Sequence, residues 1–109
     1  MVRQTKVTVV LPAYNAAKTL ERTVKEIDHA IVDEIILVDD FSDDATLEIA
    51  RRLGLIIVKH KNNRGYGANQ KTCYRVALKR GADLVVMLHP DYQYDPKLIK
   101  HFVALIEDD

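Results

Sequence analysis

Four short runs, Val7–Leu11, Ile35–Val38, Leu55–Val58 and Leu84–Leu88, are almost continuously apolar and rich in β-branched side chains. A strand with one face in water alternates apolar and polar residues, whereas an unbroken apolar run has to be covered on both faces, as in a parallel sheet. Parallel neighbours need crossover connections, and the segments between the runs have helical period. In the first, Leu20, Val24, Ile27 and Ile31 fall on one face, with Asn15 available as N-cap. The second opens on Ser42, Asp43 and Asp44 and closes on Arg51, Arg52 and Gly54, so both of its ends are marked. The third is expected from about Gly67 to Arg80, burying Cys73, Val76 and Ala77, with Gly81 as a left-handed C-terminal cap. A fourth begins at Asp95-Pro96 and turns Leu98, Ile99, Phe102, Val103 and Ile106 inward.

The resulting order, β-α-β-α-β-α-β-α, predicts a Rossmann-like, doubly wound α/β sheet with helices on both faces. At 109 residues, 1–109 is read as a single domain. Sixteen basic residues balance sixteen acidic ones, so net charge gives no footprint for nucleic acid, although a local basic patch can hide in the average. The one cysteine, Cys73, forms no internal disulfide. No apolar run approaches the ~18 residues of a spanning helix. The expected setting is cytoplasmic, with membrane association reserved for a longer natural protein.

In such folds ligands bind beyond the carboxyl ends of the strands. Leu11-Pro12-Ala13-Tyr14-Asn15 carries a ring off the first strand, which suits a nucleobase but also suits a plain proline turn. Asp39-Asp40 follows the second strand, where a carboxylate can accept from a base N–H or ribose hydroxyls, or cap a helix. Asn63-Arg64-Gly65-Tyr66-Gly67 leads into a helix N-terminus, whose outward N–H groups suit phosphate, but two glycines before a helix are more often plain turn chemistry. After the fourth strand, Asp91 is free to reach a divalent cation that grips a diphosphate, a hard-oxygen arrangement favoured by Mg²⁺ or Mn²⁺. His89 reads as a phosphate donor or rim residue before a second ligand, and Asp95 as an N-cap. His29, His60 and His101 stand singly and are expected on the surface.

In order and spacing, four stretches resemble glycosyltransferase family 2 of the GT-A fold class: 9–15, 34–46, 62–69 and 88–96. The resemblance implies strand order 3-2-1-4 and a nucleoside pocket lined by Pro12, Tyr14, Val38 and Asp40, with Asp40 bonded to base or ribose. It places Asp91 at the second acid of the family's Asp-x-Asp motif, as metal ligand, and Gln93 near it. His89 replaces the first acid, which bears on the ribose contact and on metal affinity. Ala16 stands where many relatives have glutamate. The family continues past the equivalent of Asp109 with the strands that carry the catalytic base, so this chain is expected to be the nucleotide-sugar-binding half and inactive alone.

The implied activity is binding of a nucleoside diphosphate sugar with Mg²⁺ or Mn²⁺, for inverting transfer to a lipid-phosphate, saccharide or protein acceptor. A binding-only module is the alternative. A phosphorylation receiver would place its acidic pair after the first strand, and a sugar nucleotidyltransferase would follow that strand with a glycine-rich basic loop; neither pattern is present. By the same resemblance Leu84–Leu88 becomes a sheet edge in this chain, which favours a homodimer.

Overall fold

The computed structural model describes residues 5–90; the predicted fourth helix, Asp91, Gln93 and His101 lie outside that range. Four strands form one parallel sheet: β1 (Val7–Ala13), β2 (Glu34–Asp39), β3 (Ile56–Lys59) and β4 (Leu84–Met87), in the order β3-β2-β1-β4. The helices are α1 (Leu20–Lys25), α2 (Thr46–Arg52) and α3 (Tyr66–Lys79). Fold class and strand order are those expected from the sequence.

Burial follows from position in the sheet. The central β1 is buried along its whole length, and β2 over its last four residues, whereas β3 and β4, each with one neighbouring strand among the described residues, are half-buried. Alternation divides the core in two. Val7, Val9 and Leu11 of β1 and Leu37 of β2 pack with Leu20 and Val24 of α1 and Ala50 of α2. Val10, Ile36 and Val38 point the other way, against Cys73 and Ala77 of α3. Pro12 sits in a central strand without costing a ladder bond. Val10 O accepts from Leu88 N at 3.0 Å, so by alternation Pro12 turns its missing donor toward the β4 side, where that strand has ended at Met87.

The helices start and stop somewhat differently from the sequence reading. α1 is short: Asp28 Oδ1 accepts from Ala30 N at 3.0 Å, a local turn that competes with further helix, although Ile27 stays buried. Asn15 is not its N-cap, lying at φ 51° well before Leu20. α2 begins at Thr46 with Ala45 in the N-cap position; no side chain of the acidic cluster caps it, although Asp44 Oδ1, one residue before the cap, accepts from Thr46 N at 2.9 Å. Gly54 (φ 76°) and Gly81 (φ 85°) take the left-handed conformations expected after α2 and α3.

Cys73 is fully buried, and burial pushes its thiol up to about 12. It is therefore expected to stay inert to a thiol-specific disulfide reagent at mildly alkaline pH while the chain is folded and to react on unfolding in urea. Rapid labelling of the folded chain would show that α3 does not pack on the sheet as described.

Candidate functional site at the carboxyl rim

Strand register brings the site together. Ala13 pairs with Asp39, and Asp39 with Lys59, so Tyr14, Asp40 and His60 leave the sheet at one level. Asp40 N donates to Ala13 O and His60 N to Asp39 O, both at 2.8 Å, carrying the pairing one step beyond the strands. Asp40 and His60 also share the parity of Val38 and Val58, which places both on the α3 side.

Asp40 is 4% exposed, and its carboxylate is already heavily used. Oδ1 accepts from Arg64 N and lies 2.8 Å from His60 Nδ1, while Oδ2 accepts from Gly65 N at 2.9 Å. His60 is itself buried, with Nε2 2.9 Å from Thr72 Oγ1 on α3. Burial works against the charged carboxylate, but the bonds from His60, Arg64 N and Gly65 N together outweigh it, holding Asp40 below the usual carboxylate range. Two sequence expectations change here. The loop into α3, read as suiting either a phosphate or plain turn chemistry, has the N–H groups of Arg64 and Gly65 occupied by the chain's own anion. His60, read as a surface residue, is a buried partner of Asp40. With three of roughly four acceptor positions taken, little of Asp40 remains for a base or ribose.

The loops after β1 and β2 are laced to each other. Asn15 N donates to Ser42 Oγ at 2.8 Å, and Asp43 N to Asn15 Oδ1 at 2.9 Å. Ala16 N donates to Thr46 Oγ1 at 2.9 Å, and Ala17 N to Asp44 Oδ2 at 3.2 Å. Asp39, fully buried, accepts from Ser42 N at 3.0 Å and holds that loop from beneath. The lacing leaves two rings in solvent, Tyr14 at 53% and Phe41 at 51% exposed. Phe41 sits at φ 65°, a conformation that a bulky residue adopts only when its surroundings impose it. Pro12 and Val38 lie under this rim: Pro12 is buried and Val38 fully so, with its carbonyl accepting from Asn69 Nδ2 at 2.9 Å. Val38, expected to line the pocket, is fully buried because β2 is central, with its side chain facing α3 beneath the rim.

His89 follows β4 at the same rim. Its Nε2 lies 2.8 Å from the Tyr66 hydroxyl, and the two rings are tilted by 35° at 5.3 Å. Gln70 Nε2 donates to the same hydroxyl at 2.8 Å, so His89 is tied to the first turn of α3. Pro90 O accepts from Thr19 Oγ1, fixing the chain beside α1 just before Asp91. Among the described residues no three His, Cys, Asp or Glu side chains converge as a metal site.

The comparisons with known proteins agree with this architecture. The family profile of glycosyl transferase family 2 matches residues 8–109, and the chain belongs to that family. It is 30% identical over 118 residues to a UDP-N-acetylglucosamine–dolichyl-phosphate N-acetylglucosaminyltransferase of Methanococcus voltae, an alignment covering 93% of this chain and 47% of that protein. The chain thus spans less than half the length of this relative. Among solved structures it superposes on glucosyl-3-phosphoglycerate synthase of Mycobacterium tuberculosis in complex with Mn²⁺, UDP and glucosyl-3-phosphoglycerate, with TM-score 0.76 and 26% identity over 94% of this chain and 39% of that one. The same fold appears in S. aureus TarS 1-349 bound to UDP, with TM-score 0.77 and 23% identity over 95% of this chain and 32% of that one.

The buried carboxylate yields a stability prediction with a defined sign. Asp40 stays ionised to lower pH in the folded chain than in the unfolded one. Its contribution is therefore complete above the unfolded value near 4 and is lost as pH falls through the lower folded value. Asp40→Asn is expected to cost about 2–3 kcal/mol at neutral pH, because an amide cannot accept from all three donors. Urea denaturation across pH should also show a shallower acid loss in the variant. Equal stability of the two proteins at neutral pH would contradict the assigned bonds.

Proposed function

We propose that the rim binds a nucleoside diphosphate sugar together with Mg²⁺ or Mn²⁺, for transfer of the sugar with inversion. The observation that carries the reading is the convergence of Tyr14, the Asp40-anchored Arg64-Gly65 loop and His89 at one level of a parallel sheet. Membership of glycosyltransferase family 2 supports it, as does UDP in the superposed glucosyl-3-phosphoglycerate synthase complex. Tyr14 and Phe41 offer aromatic faces for a base. The remaining acceptor position of Asp40 is available to a base N–H or ribose hydroxyl. Pro12 and Val38 set the depth of the pocket from below. Arg64, exposed at the loop, brings positive charge toward a diphosphate, and His89, on the same rim, is the proposed second donor to it.

The metal is assigned to Asp91, with Gln93 nearby, on the sequence motif and on the Mn²⁺ of the same complex. When bound, such an ion neutralises charge growing on the departing diphosphate. The protein's own contribution is to hold nucleotide and sugar in one orientation on a rim whose loops are already tied together. The acceptor class proposed is a lipid phosphate, since the Methanococcus voltae relative is named for a dolichyl phosphate acceptor.

Calorimetry with UDP is the direct test, with and without Mn²⁺. Binding is expected to strengthen with the metal; Tyr14→Ala should weaken it about tenfold through lost stacking, and Asp91→Ala should abolish the metal dependence. Metal-independent affinity in the unmutated chain would remove Asp91 from the site, and no effect of Tyr14→Ala would move the base elsewhere.

A further inference from the structure

The balanced charge of the whole chain hides a sharp division. Between Glu48 and Asp83 there is no acidic residue, and this stretch holds nine of the sixteen basic ones: Arg51, Arg52, Lys59, Lys61, Arg64, Lys71, Arg75, Lys79 and Arg80. Arg52 is paired with Glu21, and Arg80 with Glu34. The other seven make no ion pair among the described residues, and all are exposed. Cations that could have been neutralised locally have been left in water.

Their placement is not scattered. Lys59 and Lys61 at the end of β3, Arg64 in the loop and Arg75 on α3 line a single open depression of about 440 Å³ at the β3 edge of the sheet. Lys71, Tyr74, Arg75, Leu78 and Lys79 follow the i, i+3, i+4, i+7, i+8 spacing, so they share one face of α3, opposite the buried Cys73 and Ala77. In that basic face stand two apolar groups, Leu78 at 66% and Tyr74 at 46% exposed. Neither packs into the core, and each faces solvent where a charged residue would be the ordinary choice.

We infer that this face, α3 together with the β3 edge, docks on an anionic lipid bilayer. Cations interspersed with a leucine and a tyrosine match the headgroup–acyl boundary, where anionic lipids attract the basic groups and the apolar groups enter the interface. Tyrosine, with an apolar body and a polar tip, suits that boundary. A nucleic-acid backbone would satisfy the cations but would give Leu78 nothing, since single-stranded recognition relies on stacking platforms. The inference does not depend on what the rim binds. The two surfaces do adjoin, because the loop from Lys61 to Arg64 belongs to the basic face and is anchored by Asp40 from the other side. Docking by this face therefore holds the rim next to the bilayer surface.

The test is co-sedimentation of the full chain with vesicles of phosphatidylcholine alone and of phosphatidylcholine with about a third phosphatidylglycerol, at low and high salt. Partition is expected only on the anionic vesicles, falling as salt rises. The double variant Lys71→Glu, Arg75→Glu should lower the partition coefficient by about thirtyfold or more, from a few-fold effect per basic group. Leu78→Ser should lower it several-fold while leaving the charge unchanged. These residues are exposed, so thermal melts and UDP titrations of the variants should match those of the parent, which separates failure of this inference from failure of the nucleotide reading. Equal partition on neutral and anionic vesicles, no response to the charge reversal, or tighter binding to a single-stranded oligonucleotide than to anionic vesicles at the same salt would overturn it.

Discussion

One buried carboxylate organises the functional end of this domain. Asp40 follows directly from the central strand β2, with 4% of its surface exposed, and accepts from Arg64 N and Gly65 N while facing His60. An ion so placed loses hydration and is tolerated only when hydrogen bonds replace it. The donors replacing it, from His60, Arg64 and Gly65, all lie in the connection between β3 and α3, so satisfying the charge fixes the path of that loop. A helix N-terminus attracts an anion through its free N–H groups and its dipole. Here the chain supplies that anion from its own neighbouring strand.

This arrangement changes how the rim can meet a diphosphate. The backbone donors of Arg64 and Gly65, committed to Asp40, are not free for phosphate, so under the proposed reading recognition of a diphosphate falls to side chains and a metal: Arg64, His89 and, outside the described residues, Asp91. The loops after β1 and β2 are locked to each other by Asn15, Ser42, Asp43 and Thr46. They hold Tyr14 and Phe41 in solvent. Bonds made within the chain between these loops lower the ordering cost of binding at the rim.

The sheet was legible from the sequence because its signal is local. Val7–Leu11 and Ile35–Val38 are apolar without alternation, and that pattern has few explanations other than a covered parallel strand. Helix ends were less legible, as Asn15 illustrates. Its residue type suits an N-cap, but its donor and acceptor are used across the rim by Ser42 and Asp43, 27 and 28 residues away. His60 was hidden for a similar reason. Flanked by Lys59 and Lys61 it looks like part of an exposed basic loop, and only the register that sets it one step past Lys59, beside Asp40, shows that it points inward. Two signals were available earlier: strand parity, which puts Asp40 and His60 on the α3 side, and the run of 34 residues without an acid between Glu48 and Asp83.

The most direct test of this account is amide hydrogen exchange at Arg64 and Gly65, read by NMR in the unmutated chain and in Asp40→Asn. If Asp40 holds the loop, both amides are protected although they lie outside regular secondary structure. The substitution should then release them while the amides of Val9 and Leu37 in the sheet keep theirs. Fast exchange at Arg64 and Gly65 in the unmutated chain, or protection unchanged by the substitution, would contradict the central role given to Asp40.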